Sequence, residues 1–142
     1  QKDELLLLGL SPLGLPGFVL RLPEHGALQV ENRTGQELPF EPGYVMADVQ
    51  RVFFPWLPVP DRGWSGEQNG RRGDCAVFER YQSGRLVTRR FERLTPAGLE
   101  RVTVQYAPQP GAAGDAPQRA QLENKLLGYT LSIETLEQSR LP

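Results

Sequence analysis

The sequence predicts a mostly β fold in which one amphipathic helix and a proline-rich loop cover the concave face of an antiparallel sheet. Most apolar segments of the 142-residue chain alternate with period two, whereas only residues 42–56 have helical spacing. The 15 glycines and 13 prolines fit a chain with many turns. The length, with no internal repeat or domain boundary in the sequence, favours a single domain over residues 1–142.

Three strands are predicted before the helix, at residues 5–10, 18–22 and 27–31. The first is a continuous apolar run that ends at the turn-forming sequence SPLGLPG, and the other two alternate. Short connections between them are typical of an antiparallel meander. The alternation predicts these inward-facing residues: Leu20, Leu22, Leu28 and Val30.

Residues 42–54 are predicted to form the helix. Pro42 suits a first helical position because no N–H is needed there, and Pro55 ends the helix because the residue before a proline avoids the α conformation. Asp48 is expected on the solvated side. The predicted apolar face consists of Val45, Val49, Val52, Phe53 and Trp56.

Four strands are predicted after the helix, at residues 75–81, 85–93, 99–107 and 127–135. The apolar loop 55–64 joins the helix as a cover, and its aromatic side chains either cap the core or contact a ligand. Residues 65–74 and 108–117 are predicted to be loops because they are polar and rich in glycine or proline. The clearest inward-facing residues are Val102, Val104, Tyr106, Leu127, Tyr129, Leu131 and Ile133.

The predicted helix is too small to cover a sheet of seven strands. At about 1.5 Å per residue, residues 42–54 span only about 20 Å. Either the sheet curls into a barrel filled by its own side chains, or it keeps an apolar hollow that a ligand occupies.

The candidate reactive groups are few. The net charge is −1, which gives no general attraction to nucleic acid or anionic lipid. The single cysteine, Cys75, excludes an internal disulfide framework, and no cofactor or metal is expected. Cys75, His25 and Glu92 are the candidates for an enzyme, although an inert thiol, a solvated turn histidine and a solvated carboxylate are the simpler interpretations.

Arginines form local basic spots that could meet lipid head groups or phosphates. They are Arg71, Arg72, Arg89, Arg90 and Arg93. Arg89 lies on the otherwise apolar face of its strand, and a buried arginine needs an anionic partner. The sequence offers two partners for it: Glu79, or the carboxylate or phosphate head group of a ligand.

Three stretches carry a resemblance to a known family. They are LSPLG at 10–14, PFEPGYVMADVQRVFFPW at 39–56 and NKLLGYTLSIETL at 124–136. In this order they resemble an uncharacterised family of Gram-negative outer-membrane lipoproteins whose fold is similar to that of the lipoprotein carriers LolA and LolB. Such a fold is an open, incomplete half β-barrel whose concave face receives acyl chains.

The resemblance implies a location and partners. Genes of that family lie in clusters that make aryl-polyene or fatty-acyl-like products, beside a lipid exporter and acyl-chain biosynthetic enzymes. The resemblance therefore implies a periplasmic protein anchored to the outer membrane, with its signal and lipidated cysteine outside this chain. Cys75 lies mid-chain and does not match that cysteine.

The function expected from these observations is non-catalytic binding of a lipid or acyl chain, for transport or placement of an acylated or polyene-type product. The alternatives are an enzyme acting on such an intermediate and a docking scaffold for an exporter. Arg89 is the candidate head-group contact. The candidate pocket and cover residues are Leu20, Leu22, Leu28, Val30, Val45, Val49, Phe53, Trp56, Val102, Val104, Tyr129 and Leu131.

Overall fold

A computed structural model describes residues 4–10, 16–38, 40–107 and 119–134. This part of the chain contains nine β-strands and one α-helix, which confirms a mostly β fold. The elements are β1 (Glu4–Leu10), β2 (Pro16–Pro23), β3 (Gln29–Asn32), α1 (Pro42–Phe53), β4 (Gly66–Arg72), β5 (Cys75–Gln82), β6 (Arg85–Thr95), β7 (Gly98–Ala107), β8 (Arg119–Asn124) and β9 (Tyr129–Glu134).

The strands form two open antiparallel sheets instead of the single seven-stranded sheet that was expected. One sheet has the order β1-β2-β3 and the other β4-β5-β6-β7-β8-β9, and no pairing between described strands closes either into a barrel. The chain divides into two compact units, Gln1–Gln50 and Arg51–Pro142. No described helix has both the length and the apolar character that a membrane span requires.

The first unit contains the meander predicted from alternation. Leu20 is fully buried and stands opposite Leu7 on β1 and Val30 on β3. The rings of Phe18 and Phe40 meet edge to face, with centroids 5.1 Å apart. Strand β3 is exposed along its whole length, and Val30 is 47% exposed.

Helix α1 begins at Pro42 and ends one residue before the predicted position. The backbone nitrogens of Tyr44 and Val45 bond to the carbonyl of Glu41, so Glu41 caps the first turn. The prediction that Asp48 is solvated was wrong, since this residue is only 2% exposed. Asp48 lies four residues before the buried Val52, and residues at this spacing share one face of a helix, so Asp48 lies on the buried side of α1.

The second unit is built on the six-stranded sheet. One face of each central strand supplies the core, as the period-two pattern predicted for β7. Trp56, Leu57, Tyr129, Leu131 and Ile133 are partly buried against this core. The buried core residues are Val52, Val77, Phe91, Val102, Val104, Tyr106, Ala120 and Leu122.

Two strands of this sheet were not predicted. Strand β4 lies in the region predicted to be a polar loop. Its inward-facing residues are Gly66, Gln68 and Gly70, so it lacks the alternation of apolar and polar side chains by which a strand is recognised. Leu57 covers Gly70 so closely that a Cβ there would lie 2.7 Å from the leucine Cδ2 atom. Strand β8 was left unassigned although its residues alternate between buried and exposed.

The remaining sequence predictions concern the loops and the last strand. The predicted loop 108–117 lies outside the described residues. The last strand begins at Tyr129, so Leu127 lies in the preceding turn and is 46% exposed, contrary to its predicted inward orientation.

Candidate functional site

A buried ion pair lies in the middle of the second unit. Glu79 on β5 stands directly opposite Arg89 on β6, and the Arg89 Nε atom is 2.7 Å from the Glu79 Oε2 atom. Their side chains are 1% and 5% exposed. Gln68 donates to the other Glu79 oxygen over 2.8 Å. Of the two partners that the sequence suggested for Arg89, the structure shows Glu79.

Arg89 and Tyr106 also cap the helix. The last carbonyls of a helix lack intrahelical partners and carry partial negative charge. Arg89 Nη1 donates to the carbonyls of Arg51 and Val52 over 2.7 and 3.2 Å. The Tyr106 hydroxyl donates to the Val52 carbonyl over 2.6 Å and accepts a bond from Arg89.

Burial raises the pKa of Tyr106 well above its ordinary value, although the charge of Arg89 opposes this shift. The phenol therefore keeps its proton at physiological pH and remains the donor to the helix carbonyl. Arg89 and Tyr106 thus join the helix end to strands β6 and β7.

A second polar cluster surrounds Glu100, which is 8% exposed on β7. One carboxylate oxygen lies 3.1 Å from Arg93 Nη2 and 3.5 Å from Arg51 Nη2. The other accepts a bond from Asn124 over 3.3 Å, and Asn124 also accepts a bond from the backbone nitrogen of Leu127. Every buried side-chain nitrogen and oxygen of the described residues has a hydrogen-bond partner.

A cavity of about 190 Å³ lies beside the Glu100 cluster and is partly open to solvent. The rings of Trp56 and Phe91 meet edge to face there, with centroids 5.0 Å apart. Arg72 Nε donates to the Trp56 carbonyl over 3.1 Å, which holds the loop after the helix beside β4. The cavity is lined by Arg51, Trp56, Arg72, Asp74, Cys75, Phe91, Arg93, Glu100 and Val102.

The cavity lining is amphipathic. Three arginines and two carboxylates give it one net positive charge, while Trp56, Phe91 and Val102 supply apolar surface. Arg72 Nη2 also donates to the Pro55 carbonyl over 3.4 Å. A guanidinium has five N–H donors, so these two bonds of Arg72 and the bond from Arg93 to Glu100 occupy only part of the donors of each side chain. The arrangement suits an anionic group attached to an apolar one.

The candidate catalytic groups have other environments. Burial raises the pKa of the Cys75 thiol, with Arg51 opposing the shift, so the less reactive protonated form predominates at neutral pH. The His25 side chain is 90% exposed and belongs to the first unit. Glu92 pairs with Arg90 and Arg101. No three described His, Cys, Asp or Glu residues are placed to hold a metal ion.

The structure brings some of the predicted ligand-binding residues of the second unit together. Trp56 and Val102 line the cavity. Val104 is fully buried in the core, with Tyr129 and Leu131 partly buried against it. Phe53 is 44% exposed at the end of the helix. Arg89 is not among the residues that line this cavity.

The other predicted ligand-binding residues lie in the first unit. Leu20 is buried there and Val30 is exposed. The rest are partly buried: Leu22, Leu28, Val45 and Val49. Their role as ligand contacts stays a prediction.

The sequence did not predict that Arg51, Arg72, Arg93 and Glu100 lie together at one cavity. Arg72 and Arg93 had been noted only as basic spots. Glu100 carried a readable signal, because it alternates in phase with Val102 and Val104 on β7 and is therefore a charged residue on an apolar face. Arg51 could not be recognised in this way, because the sequence pattern places it on the polar side of the helix, where an arginine is expected.

A comparison with known protein families matches residues 1–137 to a family described as "Protein of unknown function (DUF3261)". No curated protein matches the chain. No solved structure matches it either.

Proposed function

The chain belongs to the DUF3261 family of proteins of unknown function, and on that premise we propose that it is a non-catalytic module that binds an acyl chain with an anionic head group. The single observation that carries the proposal is the amphipathic cavity, in which arginine side chains lie beside an aromatic pair. Ligand sites of this kind combine apolar walls with a few placed polar groups.

The head group would bind to Arg72 and Arg93. A guanidinium fork matches the two oxygens of a carboxylate or phosphate, and both residues have donors beyond the hydrogen bonds already described. One net positive charge around the cavity is balanced by a monoanion, such as the carboxylate of a fatty acid. Arg89 has a structural role in this proposal, because Glu79 and the helix carbonyls already engage it.

The first carbons of the chain would lie against Trp56, Phe91 and Val102. Burial of each methylene contributes about 0.8 kcal/mol. The cavity has a volume of about 190 Å³, which is smaller than the roughly 300–1,000 Å³ of pockets that enclose a drug-sized ligand. It would therefore hold the head group and the start of the chain, while the rest of a long chain lies along apolar surface outside it.

The resemblance to outer-membrane lipoproteins with a LolA/LolB-like half-barrel suggests where such binding is used. We place the protein in the periplasm, anchored to the outer membrane, where it moves or positions an acylated or polyene-type product. An exporter or acyl-chain biosynthetic enzymes would then be its partners.

Isothermal titration calorimetry with dodecanoate below its micelle concentration tests the proposal. Arg93→Gln should weaken binding about tenfold or more, because a hydrogen bond to a charged group contributes about 1.5–3 kcal/mol. Arg101→Gln is the matched control: Arg101 is 44% exposed, like Arg93 at 43%, but lies on the opposite face of the sheet.

Unchanged affinity in Arg93→Gln, or an equal loss in both variants, would remove the cavity as the head-group site. Mass spectrometry of an organic extract of the purified protein gives independent evidence. We expect a co-purifying acyl compound, and its absence from repeated preparations together with no heat of dodecanoate binding would overturn the proposal.

A further inference from the structure

One end of the six-stranded sheet carries leucines that the fold leaves in solvent. Leu94 and Leu99 stand opposite each other beside the turn that joins β6 to β7, and they are 80% and 48% exposed. Leu127, in the turn between β8 and β9, is 46% exposed. We call these three residues the leucine end.

The two turns lie against each other. The backbone nitrogen of Lys125 bonds to the carbonyl of Arg101 over 3.4 Å, and a Cβ on Gly98 would lie 3.9 Å from Leu126. The leucine end therefore consists of two neighbouring hairpin turns at the same end of the sheet. A single exposed apolar residue such as Val59, at 78%, is ordinary, but neighbouring exposed leucines on adjacent turns indicate a contact surface.

Positive charge surrounds the leucines. In the two residue rows next to Leu94 and Leu99 and in the turns at this end, the exposed charged residues are five basic and one acidic. With the two carboxylates of these rows that are not exposed, the net charge is +2, although the whole chain has a net charge of −1. Glu92 and Glu100 in these rows are not exposed and pair with arginines. The exposed charged residues are Arg71, Arg72, Asp74, Arg93, Arg101 and Lys125.

We infer that the leucine end docks on the surface of a membrane that contains anionic lipid. The leucines would enter the boundary between head groups and acyl chains, and the surrounding cations would face the lipid phosphates. Arginine and lysine suit this position because their aliphatic stems lie along apolar surface while their charges stay in the polar layer. Arg72 and Arg93 belong to both the cavity and this surface, whereas Leu94, Leu99 and Lys125 do not line the cavity. Substitutions of these three residues therefore test docking separately from the proposed acyl-chain binding.

Vesicle co-sedimentation tests the inference. The chain should bind vesicles of phosphatidylcholine mixed with phosphatidylglycerol, bind phosphatidylcholine alone more weakly, and lose binding as salt screens the charges. Leu94→Ser combined with Leu99→Ser should weaken binding to the mixed vesicles at least tenfold. Val59→Ser, which removes an equally exposed side chain elsewhere in the second unit, should leave binding unchanged.

Lys125→Glu provides a second variant that leaves the leucines in place. It should weaken binding to the mixed vesicles roughly fivefold or more and have little effect on phosphatidylcholine vesicles. Failure of the unaltered chain to bind mixed vesicles, or binding by the double leucine variant as strong as that of Val59→Ser, would overturn the inference. Concentration-dependent dimerisation that the leucine substitutions abolish, without vesicle binding, would assign the surface to a second copy instead.

Discussion

Replacing Arg89 with methionine should lower the free energy of unfolding by about 3–5 kcal/mol, because it leaves a buried carboxylate without its cation. The Glu79 side chain is 1% exposed, so solvent cannot replace the lost partner. Gln68 would still donate a hydrogen bond to that carboxylate, at 2.8 Å, but it carries no charge to balance it. The substitution also removes the Arg89 bonds to the carbonyls of Arg51 and Val52 at the helix end.

Urea denaturation followed by circular dichroism measures this loss. Arg90→Met is the matched control on the same strand: its side chain is 44% exposed, 3.1 Å from Glu92, and stacks 4.4 Å from the Phe78 ring centroid. These exposed contacts are each worth about 1 kcal/mol or less. A loss in Arg89→Met no larger than that in Arg90→Met would refute the structural role of the buried pair.

Tyr106→Phe gives a graded version of the same test. It removes the hydroxyl that donates to the Val52 carbonyl over 2.6 Å while keeping the ring in the core. We expect a loss of about 1–2 kcal/mol, which remains measurable if Arg89→Met does not fold. No measurable loss would contradict the proposed cap.

Three further results are expected. Asn124→Ala should destabilise the chain by about 1–3 kcal/mol in urea, because it removes a fully buried donor to Glu100. Gly84→Ala should lower the free energy of unfolding, measured by thermal denaturation, by more than about 1 kcal/mol. Gly84 has a φ of 77°, and an added Cβ would lie 2.6 Å from the backbone nitrogen of Gly63. The alkylation rate of Cys75 should rise with pH to a midpoint above the ordinary thiol pKa of about 8.5, because burial raises its pKa; a lower midpoint would indicate an activated thiol.

The parts of the fold that the sequence predicted are those where apolar residues repeat at a regular interval. Strand β7 alternates cleanly through Val102, Val104 and Tyr106, and the structure buries all three. Helix α1 was bounded by Pro42 and Pro55, whose effects on the backbone do not depend on tertiary contacts.

The parts that were missed depend on contacts between distant residues. Strand β4 has glycines and a glutamine on its inner face, and it is covered by Leu57 from the loop before it, which no local pattern records. The Glu79–Arg89 pair was predicted as one of two alternatives, because only the strand register places the two opposite each other. The cavity depends on the side-chain positions of four separate stretches of the chain, 51–56, 72–75, 91–93 and 100–102, and periodicity does not encode these.

Contact between an acyl chain and Trp56 is the most direct test of the proposed site. The chain has two tryptophans: Trp56 lines the cavity, whereas the ring centroid of Trp64 lies 5.9 Å from that of Tyr81. A brominated dodecanoate quenches tryptophan fluorescence at close range, so each tryptophan can be read alone in Trp64→Phe and Trp56→Phe. We predict saturable quenching of Trp56 and little of Trp64. Quenching of neither, or of both equally, would contradict the proposal that the cavity holds the head of an acyl chain.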